Sequence, residues 1–334
     1  MDRIKFLRAC CGRWFMLTPK EQSLEDRMMS ISRAAVIGAL ALAAGLVSAR
    51  AQTATGDVEI QSGVEYANHD GVVLQGDLYQ PKAPGKYPAI VAVHGGGWQA
   101  GARTSYGYWG RYLAQQGYVL FAVSYRLSKP GQKTYPQAVH DVRAAVQFVR
   151  GRGEAIKVDP ERLGMMGDSA GAHLVALTSL TYEDAPFINA YPKDGFASVS
   201  TRVKAVVGFY GVYDMAQQWN HDQVHRPHDN ITEKFLGVPS TENRKIYLEA
   251  SPMTYTVKAK NATSFLIVHG TEDDIVDRAQ SDNFLLALKQ AGFYARHIVI
   301  QGAGHFFASD PILEPGSRSS EAAGPILRFF KERL

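Results

Sequence analysis

Cysteine is almost absent from this chain, and its scarcity excludes several kinds of chemistry. The 334 residues include only two cysteines, Cys10 and Cys11, and both lie close to the N-terminus. A mature chain that begins after residue 51 therefore contains none. Such a chain has no disulfide, no cysteine nucleophile and no thiolate metal site.

Long apolar runs are missing as well, with one exception. Residues 34–47, AAVIGALALAAGLV, are uniformly apolar, but the run is too short to span a bilayer comfortably. Arg33 precedes it, and the small-x-small site Ala49-Arg50-Ala51 follows it, which is the layout of a secretory signal peptide. A buried helix is the alternative, but an alanine-rich stretch in this position favours the signal peptide.

We therefore expect residues 1–51 to be a leader. Residues 28–51 are predicted to be a signal peptide cleaved after Ala51, and residues 1–27 to be an over-extended start of the reading frame. The protein is then expected to be secreted or periplasmic, with no stable membrane span in its mature form. Residues 52–334 are expected to form a single catalytic domain.

An excess of one charge is also missing outside the leader. Residues 1–51 hold eight Lys or Arg and four Asp or Glu, which accounts for the whole net charge of +4. Residues 52–334 are formally neutral, so no surface for nucleic acid is predicted. The composition, with 46% hydrophobic and 20% charged residues, is ordinary for a soluble globular protein.

Residues 52–334 contain no internal repeat, and short β-rich runs alternate with helical stretches. This order predicts a mostly parallel central sheet flanked by crossover helices, an α/β fold. Residues 56–80 are expected to form an antiparallel start with its turn at Asn68-His69-Asp70-Gly71. The predicted strands are 89–95, 119–125, 162–167, 203–211, 264–270 and 294–302, and the predicted helices are 138–150, 170–180, 277–291 and 322–333.

The stretch Gly167-Asp168-Ser169-Ala170-Gly171 lies between a predicted strand and a predicted helix. A serine between two spaced glycines in this context is typical of the sharp elbow that exposes a nucleophile. The elbow would also place the N–H of Ala170 at a helix N-terminus, where negative charge is favoured. An N-cap role for Ser169 is the alternative. Asp168 is expected to orient loops.

A second motif, His94-Gly95-Gly96-Gly97-Trp98, follows another strand. Consecutive glycines permit positive φ angles and expose backbone N–H groups, which can hold a developing oxyanion. A flexible turn explains the loop equally well when it is considered alone.

A nucleophilic serine needs a base, and the base needs a carboxylate. His305 follows the last predicted strand on a glycine-rich loop, and Asp273 and Asp274 follow the strand at 264–270. A surface histidine and a helix cap or turn are the alternatives for these residues. The chain order Ser, Asp, His is that of an α/β-hydrolase, and it favours Ser169 as a nucleophile.

These motifs together resemble the hormone-sensitive-lipase-like esterases of the α/β-hydrolase superfamily, and above all its bacterial carboxylesterase and feruloyl-esterase-like branch. The resemblance covers essentially all of residues 52–334. The motifs that carry it are HGGGW (94–98), YRL (125–127), DPERLGMMGDSAGAH (159–173), SPMTY (251–255), HGTEDDIV (269–276) and GAGHFF (302–307).

The resemblance implies an α/β-hydrolase fold with a Ser169, His305 and Asp273 triad. Asp274 and Asp214 are the fallback acids. It also implies that the oxyanion hole consists of the N–H groups of Gly96, Gly97 and Ala170.

One departure from the capped members of this group concerns the substrate side. Residues 52–80 have the pattern of strands, so we expect no large N-terminal helical cap and a more open site. Segments 181–200 and 213–236 are expected to form the rims. The predicted wall residues, for each of which ordinary packing is the alternative, are Trp98, Trp219, Phe187 and Tyr191.

A histidine-rich stretch raises the question of a metal. His221-Asp222, His225 and His228-Asp229 lie close together in sequence, and His221 and His225 share a face if this stretch is helical. No further ligand set accompanies them, so a solvated rim is predicted, with no metal and no organic cofactor.

The predicted function is that of a secreted serine carboxylesterase acting on short acyl or aryl esters. Its substrate would be a small molecule or a carbohydrate-linked ester, such as an acetyl or feruloyl ester of a plant polysaccharide. An amidase or peptidase on the same fold is the nearest alternative, and a ligand-binding homologue without catalysis is a second one. The sequence leaves the oligomeric state open.

Overall fold

The computed structural model describes residues 56–334 and, before them, two three-residue strands. These strands, β1 (Phe6–Arg8) and β2 (Trp14–Met16), pair with each other in antiparallel fashion. The predicted leader and its cleavage site otherwise lie outside the described residues, and both stay predictions. Residues Gly56–Leu334 form one compact unit.

Eight strands of this unit form a single sheet in the order β10-β9-β8-β7-β5-β6-β4-β3. The six strands from β5 to β10 pair in parallel, whereas β4 pairs antiparallel with both β3 and β6. The predicted mostly parallel sheet is therefore confirmed. The strands are β3 (Val58–His69), β4 (Val72–Pro81), β5 (Tyr87–Val93), β6 (Val119–Val123), β7 (Val158–Asp168), β8 (Ala205–Phe209), β9 (Ser264–Gly270) and β10 (Ala295–Ile300).

Helices cover both faces of the sheet, which explains why β6, β8 and β9 are buried at every position. Helices α2, α3 and α7 pack in the apolar core on one face, and α1 and α8 pack in the core on the other. The helices are α1 (Gly107–Gln115), α2 (Gln137–Gly151), α3 (Ala170–Leu180), α4 (Met215–His225), α5 (Ile231–Leu236), α6 (Arg244–Glu249), α7 (Ala279–Gln290) and α8 (Arg318–Arg333).

The first two strands of the sheet form the predicted antiparallel hairpin. Asp70 and Gly71 have φ angles of 53° and 82°, so both lie in the left-handed region that tight hairpin turns use. Strand β3 forms one edge of the sheet, and its register shifts twice, between Gln61 and Val64 and between Glu65 and Ala67. Strands, and not a helical cap, thus occupy this part of the chain.

The sequence patterns do not predict four of the helices. Helices α5 and α6 have six residues each, which is too few to show a helical period. Helix α1 begins at Gly107, and α4 depends on the carboxylate of Asp214, which accepts hydrogen bonds from the N–H groups of Ala216 and Gln217. Within residues 56–334, no helix combines the length and the apolar character that crossing a bilayer requires.

Candidate active site

Ser169 lies at the tip of a sharp turn between β7 and α3. Its φ and ψ angles are 51° and −119°, an unusual conformation for a residue other than glycine. The turn is tight because a Cβ atom at Gly167 would lie 2.5 Å from the backbone of Gly171, and one at Gly171 would lie 2.0 Å from the carbonyl oxygen of Val93. The two glycines of the motif are therefore a steric requirement.

The loops after β9 and β10 bring the predicted acid and base to this serine. The Nε2 atom of His305 lies 2.9 Å from the Oγ atom of Ser169, and its Nδ1 atom lies 2.7 Å from Oδ2 of Asp273. The side chains of His305 and Asp273 are almost completely buried. An imidazole whose Nδ1–H donates to a carboxylate leaves Nε2 able to accept the serine proton.

Asp273 is fixed by three further contacts. Its Oδ1 atom accepts hydrogen bonds from the N–H groups of Ile275 and Val276, at 3.0 and 2.9 Å, and its Oδ2 atom lies 3.2 Å from Nε2 of His269. Burial alone would raise the pKa of this carboxyl. The hydrogen bonds from His269 and His305, together with the charge of His305 and the Val276 amide, hold it well below its usual range. The carboxylate therefore stays ionised beside the histidine.

The fallback acids lie elsewhere. Asp274 is exposed, and Asp214 caps helix α4 with its carboxylate. His269 is buried behind the acid, and its Nδ1 atom lies 2.7 Å from the hydroxyl oxygen of Ser281.

The glycine-rich loop after β5 lies beside the serine. Gly96 and Gly97 have φ angles of 109° and 58°, and a Cβ atom at Gly96 would lie 2.3 Å from the carbonyl oxygen of Ala100. Gly96, Gly97 and Ala170 line the same cleft as Ser169 and His305. In the described part of the chain, no group accepts a hydrogen bond from the N–H of these three residues. They are therefore available to a ligand oxygen.

Asp168 joins the glycine loop to the elbow. Its Oδ1 atom accepts a hydrogen bond of 3.0 Å from the N–H of Gly95, and a Cβ atom at Gly95 would lie 2.4 Å from its Oδ2. Burial raises the pKa of Asp168 to about 6, although the nearby Tyr106 hydroxyl and the hydrogen bond from the Gly95 amide oppose this shift. The contact agrees with the expected role of Asp168 in orienting loops.

The cleft above Ser169 has a volume of about 280 Å³. Its walls are largely apolar, with Arg226 and Asp229 forming an ion pair at the border. Segment 213–236 thus forms a rim, as predicted, through Arg226, Asp229 and Ile231. Besides Trp98, the larger apolar residues that line the cleft are Val212, Ile231, Ile275, Val276 and Phe306.

The predicted wall residues have different positions: Trp98 lines the cleft at Ser169, whereas Trp219 lies outside its lining. The ring of Trp98 is completely buried, donates a hydrogen bond to Nδ1 of His173 and stacks on Phe235 at 4.7 Å between ring centroids. Trp219 is half-buried, and its indole N–H donates to Glu233. Trp98 thus belongs to the cleft lining although its ring is packed against His173 and Phe235, and of these two predictions only that for Trp219 needs correction.

Segment 181–200 also departs from the prediction. Phe187 and Tyr191 line a separate cleft of about 350 Å³ beside His69 and helix α2, and not the cleft at Ser169. Tyr191 stacks on the ring of His69 with the centroids 3.6 Å apart. This segment therefore packs on the hairpin.

Phe306 is an aromatic cleft residue that the wall prediction misses. It follows His305 directly, is 62% exposed and lines the cleft. The sequence does carry a signal, since an aromatic side chain follows the predicted base on a glycine-rich loop.

The histidine-rich stretch forms the end of helix α4. The rings of His221 and His225 lie 4.5 Å apart, and the carboxylate of Asp222 is buried and accepts a hydrogen bond from Gln218. Between residues 56 and 334, no group of three or more His, Cys, Asp or Glu side chains is arranged to hold a metal ion.

Comparison with known proteins yields one family and several relatives. The family described as BD-FAE matches residues 76–288. The chain is 32% identical to the probable carboxylic ester hydrolase LipM of Mycobacterium tuberculosis over 226 residues. This match covers 67% of the chain and 49% of the relative. The chain spans about half the length of the curated relatives it matches.

Solved structures share the architecture. Native esterase 2 of Thermogutta terrifontis has a TM-score of 0.62 and 25% identity, covering 83% of this chain and 92% of that one. A truncated carbohydrate esterase from gut microbiota has a TM-score of 0.66 and 24% identity, covering 84% and 97%. Together with the sheet order, these likenesses identify the α/β-hydrolase fold.

Proposed function

The chain belongs to the BD-FAE family, and we propose that it is a serine carboxylic ester hydrolase with Ser169, His305 and Asp273 as its triad. One observation carries the proposal. The hydrogen-bonded series from Asp273 through His305 to Ser169, with steps of 2.7 and 2.9 Å, ends beside three backbone N–H groups without an acceptor.

The reaction would begin when Oγ of Ser169 attacks the ester carbonyl carbon and Nε2 of His305 takes the serine proton. Asp273 accepts a hydrogen bond from Nδ1–H of His305, which fixes the tautomer and stabilises the imidazolium. The carbonyl oxygen becomes an oxyanion, and the N–H groups of Gly96, Gly97 and Ala170 hold it. Each such donor typically contributes about 3 kcal/mol to transition-state stabilisation.

The second half of the cycle releases the products. His305 gives its proton to the leaving alcohol oxygen as the bond to the acyl carbon breaks, and an acyl-enzyme remains on Ser169. Water then takes the place of the alcohol: His305 removes a proton from it as its oxygen attacks the acyl carbon, and His305 returns that proton to Oγ of Ser169 as the bond from Oγ to the acyl carbon breaks and the carboxylic acid leaves. None of these steps calls for a cofactor or a metal.

Short acyl groups fit the proposed site best. The cleft of about 280 Å³ is bounded by Val212, Ile231 and Val276, which suit a small apolar acyl group. We propose acetyl or feruloyl esters, including those carried by plant polysaccharides, as the natural substrate class.

Hydrolysis of p-nitrophenyl esters from acetyl to dodecanoyl by the full chain tests the proposal. We expect activity on the shortest esters and a fall in kcat on the order of 10⁴-fold or more for Ser169→Ala. Ser198→Ala, which removes an exposed serine hydroxyl far from the triad in sequence, serves as the matched control and keeps full activity.

Two results would contradict this function. Undiminished ester hydrolysis by Ser169→Ala would mean that another group is the nucleophile. Cleavage of p-nitroanilides by a folded wild-type protein that leaves every ester intact would assign it to the amidases or peptidases.

We also propose that residues 28–51 direct export of the protein. The apolar run and the small residues at Ala49 and Ala51 support this proposal. Expression in a bacterium that secretes proteins, followed by mass spectrometry, should give a mature N-terminus at Gln52. A mature protein that retains residues upstream of Gln52 would refute cleavage at this site.

A further inference from the structure

Phe306 combines two unfavourable features at the mouth of the cleft. Its φ angle is 76°, in the left-handed region where a bulky L-residue is strained, and its side chain is 62% exposed to solvent. Glycine would adopt the same backbone without strain and without an exposed ring. Glycine occupies positions 302 and 304 of the same loop, so the presence of phenylalanine rather than glycine at position 306 calls for an explanation.

The combination is specific to this position. The structure exposes eight other large hydrophobic residues between 56 and 334, and all of them have ordinary negative φ angles. None of the eight lines the cleft that contains Ser169. Strain retained at a functional site is a recognised sign that the side chain has a task there.

The position of the ring indicates which part of a substrate it meets. The Phe306 ring lies edge-to-face against the ring of His305, with centroids 4.6 Å apart and an interplanar angle of 86°. In the proposed reaction His305 gives its proton to the leaving alcohol, so the alcohol oxygen must lie within hydrogen-bonding distance of Nε2. The Phe306 ring therefore flanks the alcohol side of the ester.

The acyl side has different neighbours. The carbonyl oxygen of the ester would be directed at the N–H groups of Gly96 and Gly97. Ile231 lies next to this loop, with its Cγ2 atom 3.5 Å from the position that a Cβ atom on Gly97 would occupy. Aliphatic side chains thus surround the acyl group, and an aromatic face is offered to the alcohol.

We propose that Phe306 is a specificity residue on which the alcohol part of the substrate stacks, so that the enzyme prefers esters whose alcohol is a ring. This inference rests on the proposed function and deepens it. A flat ring, either an aryl group or the apolar face of a sugar, gains contact with the exposed aromatic face, whereas a short linear alcohol does not.

Three acetate esters that differ only in the alcohol provide the test: ethyl acetate, benzyl acetate and a monoacetylated methyl xyloside. All give the same acetyl-enzyme, so differences in kcat/KM report the step in which the alcohol is still present. For Phe306→Gly we expect kcat/KM to fall about tenfold on the two ring esters and less than twofold on ethyl acetate. The melting temperature should stay unchanged or rise, because the strain is relieved.

Three companion variants separate stacking from loop structure. Phe306→Tyr keeps an aromatic face and should restore the preference for ring alcohols. Phe306→Asn tolerates the left-handed backbone but has no ring, so it should behave like Phe306→Gly. Leu313→Ala removes another exposed apolar side chain, one outside the cleft, and should change none of the ratios.

Each outcome decides the inference. A loss confined to benzyl acetate supports stacking of an aryl alcohol, and a loss that includes the xyloside ester supports stacking of a sugar. Equal losses on all three acetates in both the Gly and the Asn variants would overturn the inference and leave the ester hydrolase standing. A wild-type protein inert towards all three esters would overturn the proposed function, and this inference with it.

Discussion

Two buried histidines of this protein each contact an aspartate oxygen at 2.7 Å, but they differ in what their second ring nitrogen meets. His305 contacts Asp273 through Nδ1 and the hydroxyl of Ser169 through Nε2. His69 contacts Asp141 through Nδ1 and a second carboxylate, that of Asp194, through Nε2 at 2.8 Å. One histidine therefore lies between an acid and a proton donor, and the other lies between two acids.

The two carboxylates give His69 a different chemical state. Burial alone would lower its pKa, but the hydrogen bonds and charges of Asp141 and Asp194 outweigh burial and raise it. A doubly protonated ring can donate to both acids but cannot accept a proton. His69 therefore acts as a charged clamp that ties the hairpin end to helix α2, through Asp141, and to segment 181–200, through Asp194.

The comparison teaches that a short histidine–aspartate contact does not by itself identify a catalytic base. Arg126 also binds Asp141, with nitrogen–oxygen distances down to 2.6 Å, so the clamp is part of a wider ionic cluster. At His305, the group beyond the ring is a hydroxyl on a strained elbow that lines a cleft. It is this third partner that distinguishes the two sites.

The largest expected effect comes from replacing the acid of the proposed triad. Asp273→Asn would keep the shape of the side chain but favour the wrong tautomer of His305, so kcat/KM for p-nitrophenyl acetate should fall about 10⁴-fold. The exposed neighbour Asp274→Asn is the matched control and should stay within twofold of wild type. A strong loss of kcat/KM in Asp274→Asn, or only a weak loss in Asp273→Asn, would show that Asp273 is not the acid of the triad.

At the other histidine the effect should fall on stability. His69→Gln leaves the buried carboxylate of Asp141 and the partly exposed carboxylate of Asp194 without their shared cation, which should lower the free energy of unfolding by about 3 kcal/mol. Urea denaturation measures this change, and kcat/KM should stay within about twofold of wild type. Loss of hydrolysis by a His69→Gln protein that is still folded would contradict the purely stabilising role of His69.

The smallest effect is the pH dependence of the stability that the clamp contributes. Because the pKa of His69 is raised on folding, its stabilisation is complete below the unfolded value of about 6.5 and is lost as pH rises through the folded pKa. The difference in melting temperature between wild type and His69→Gln should therefore shrink from pH 5.5 to pH 9. A difference that stays constant or grows would mean that His69 is neutral in the folded protein.

The chemistry at the strand ends could be read from the sequence because its signals are local. An apolar strand, a glycine and a polar residue follow one another at Ser169 and His305, and the parallel order of strands brings their ends together. The hairpin turn at Asp70 and Gly71 could also be predicted from the sequence, because only a few neighbouring residues determine it.

The walls could be predicted only in part, because distant contacts direct the side chains: Trp98 lines the cleft, but Trp219, Phe187 and Tyr191 do not. Trp98 is held by His173 and Phe235, which lie far from it in sequence. Likewise, nothing near His69 indicates that Asp141 and Asp194 will flank it. Phe306 shows the reverse situation. Its position beside the base can be read from the sequence, but its strained backbone and its exposed ring are known only from the structure.

The two register shifts in β3 bear on how this protein behaves when many copies are close together. A 12-residue strand at the edge of a sheet offers a row of unpaired backbone groups on which a strand of another molecule can add. The shifts at 61–64 and 65–67 interrupt the even spacing of that row and increase the local twist. A second copy therefore finds no long, regular ladder to extend along this edge of the described sheet.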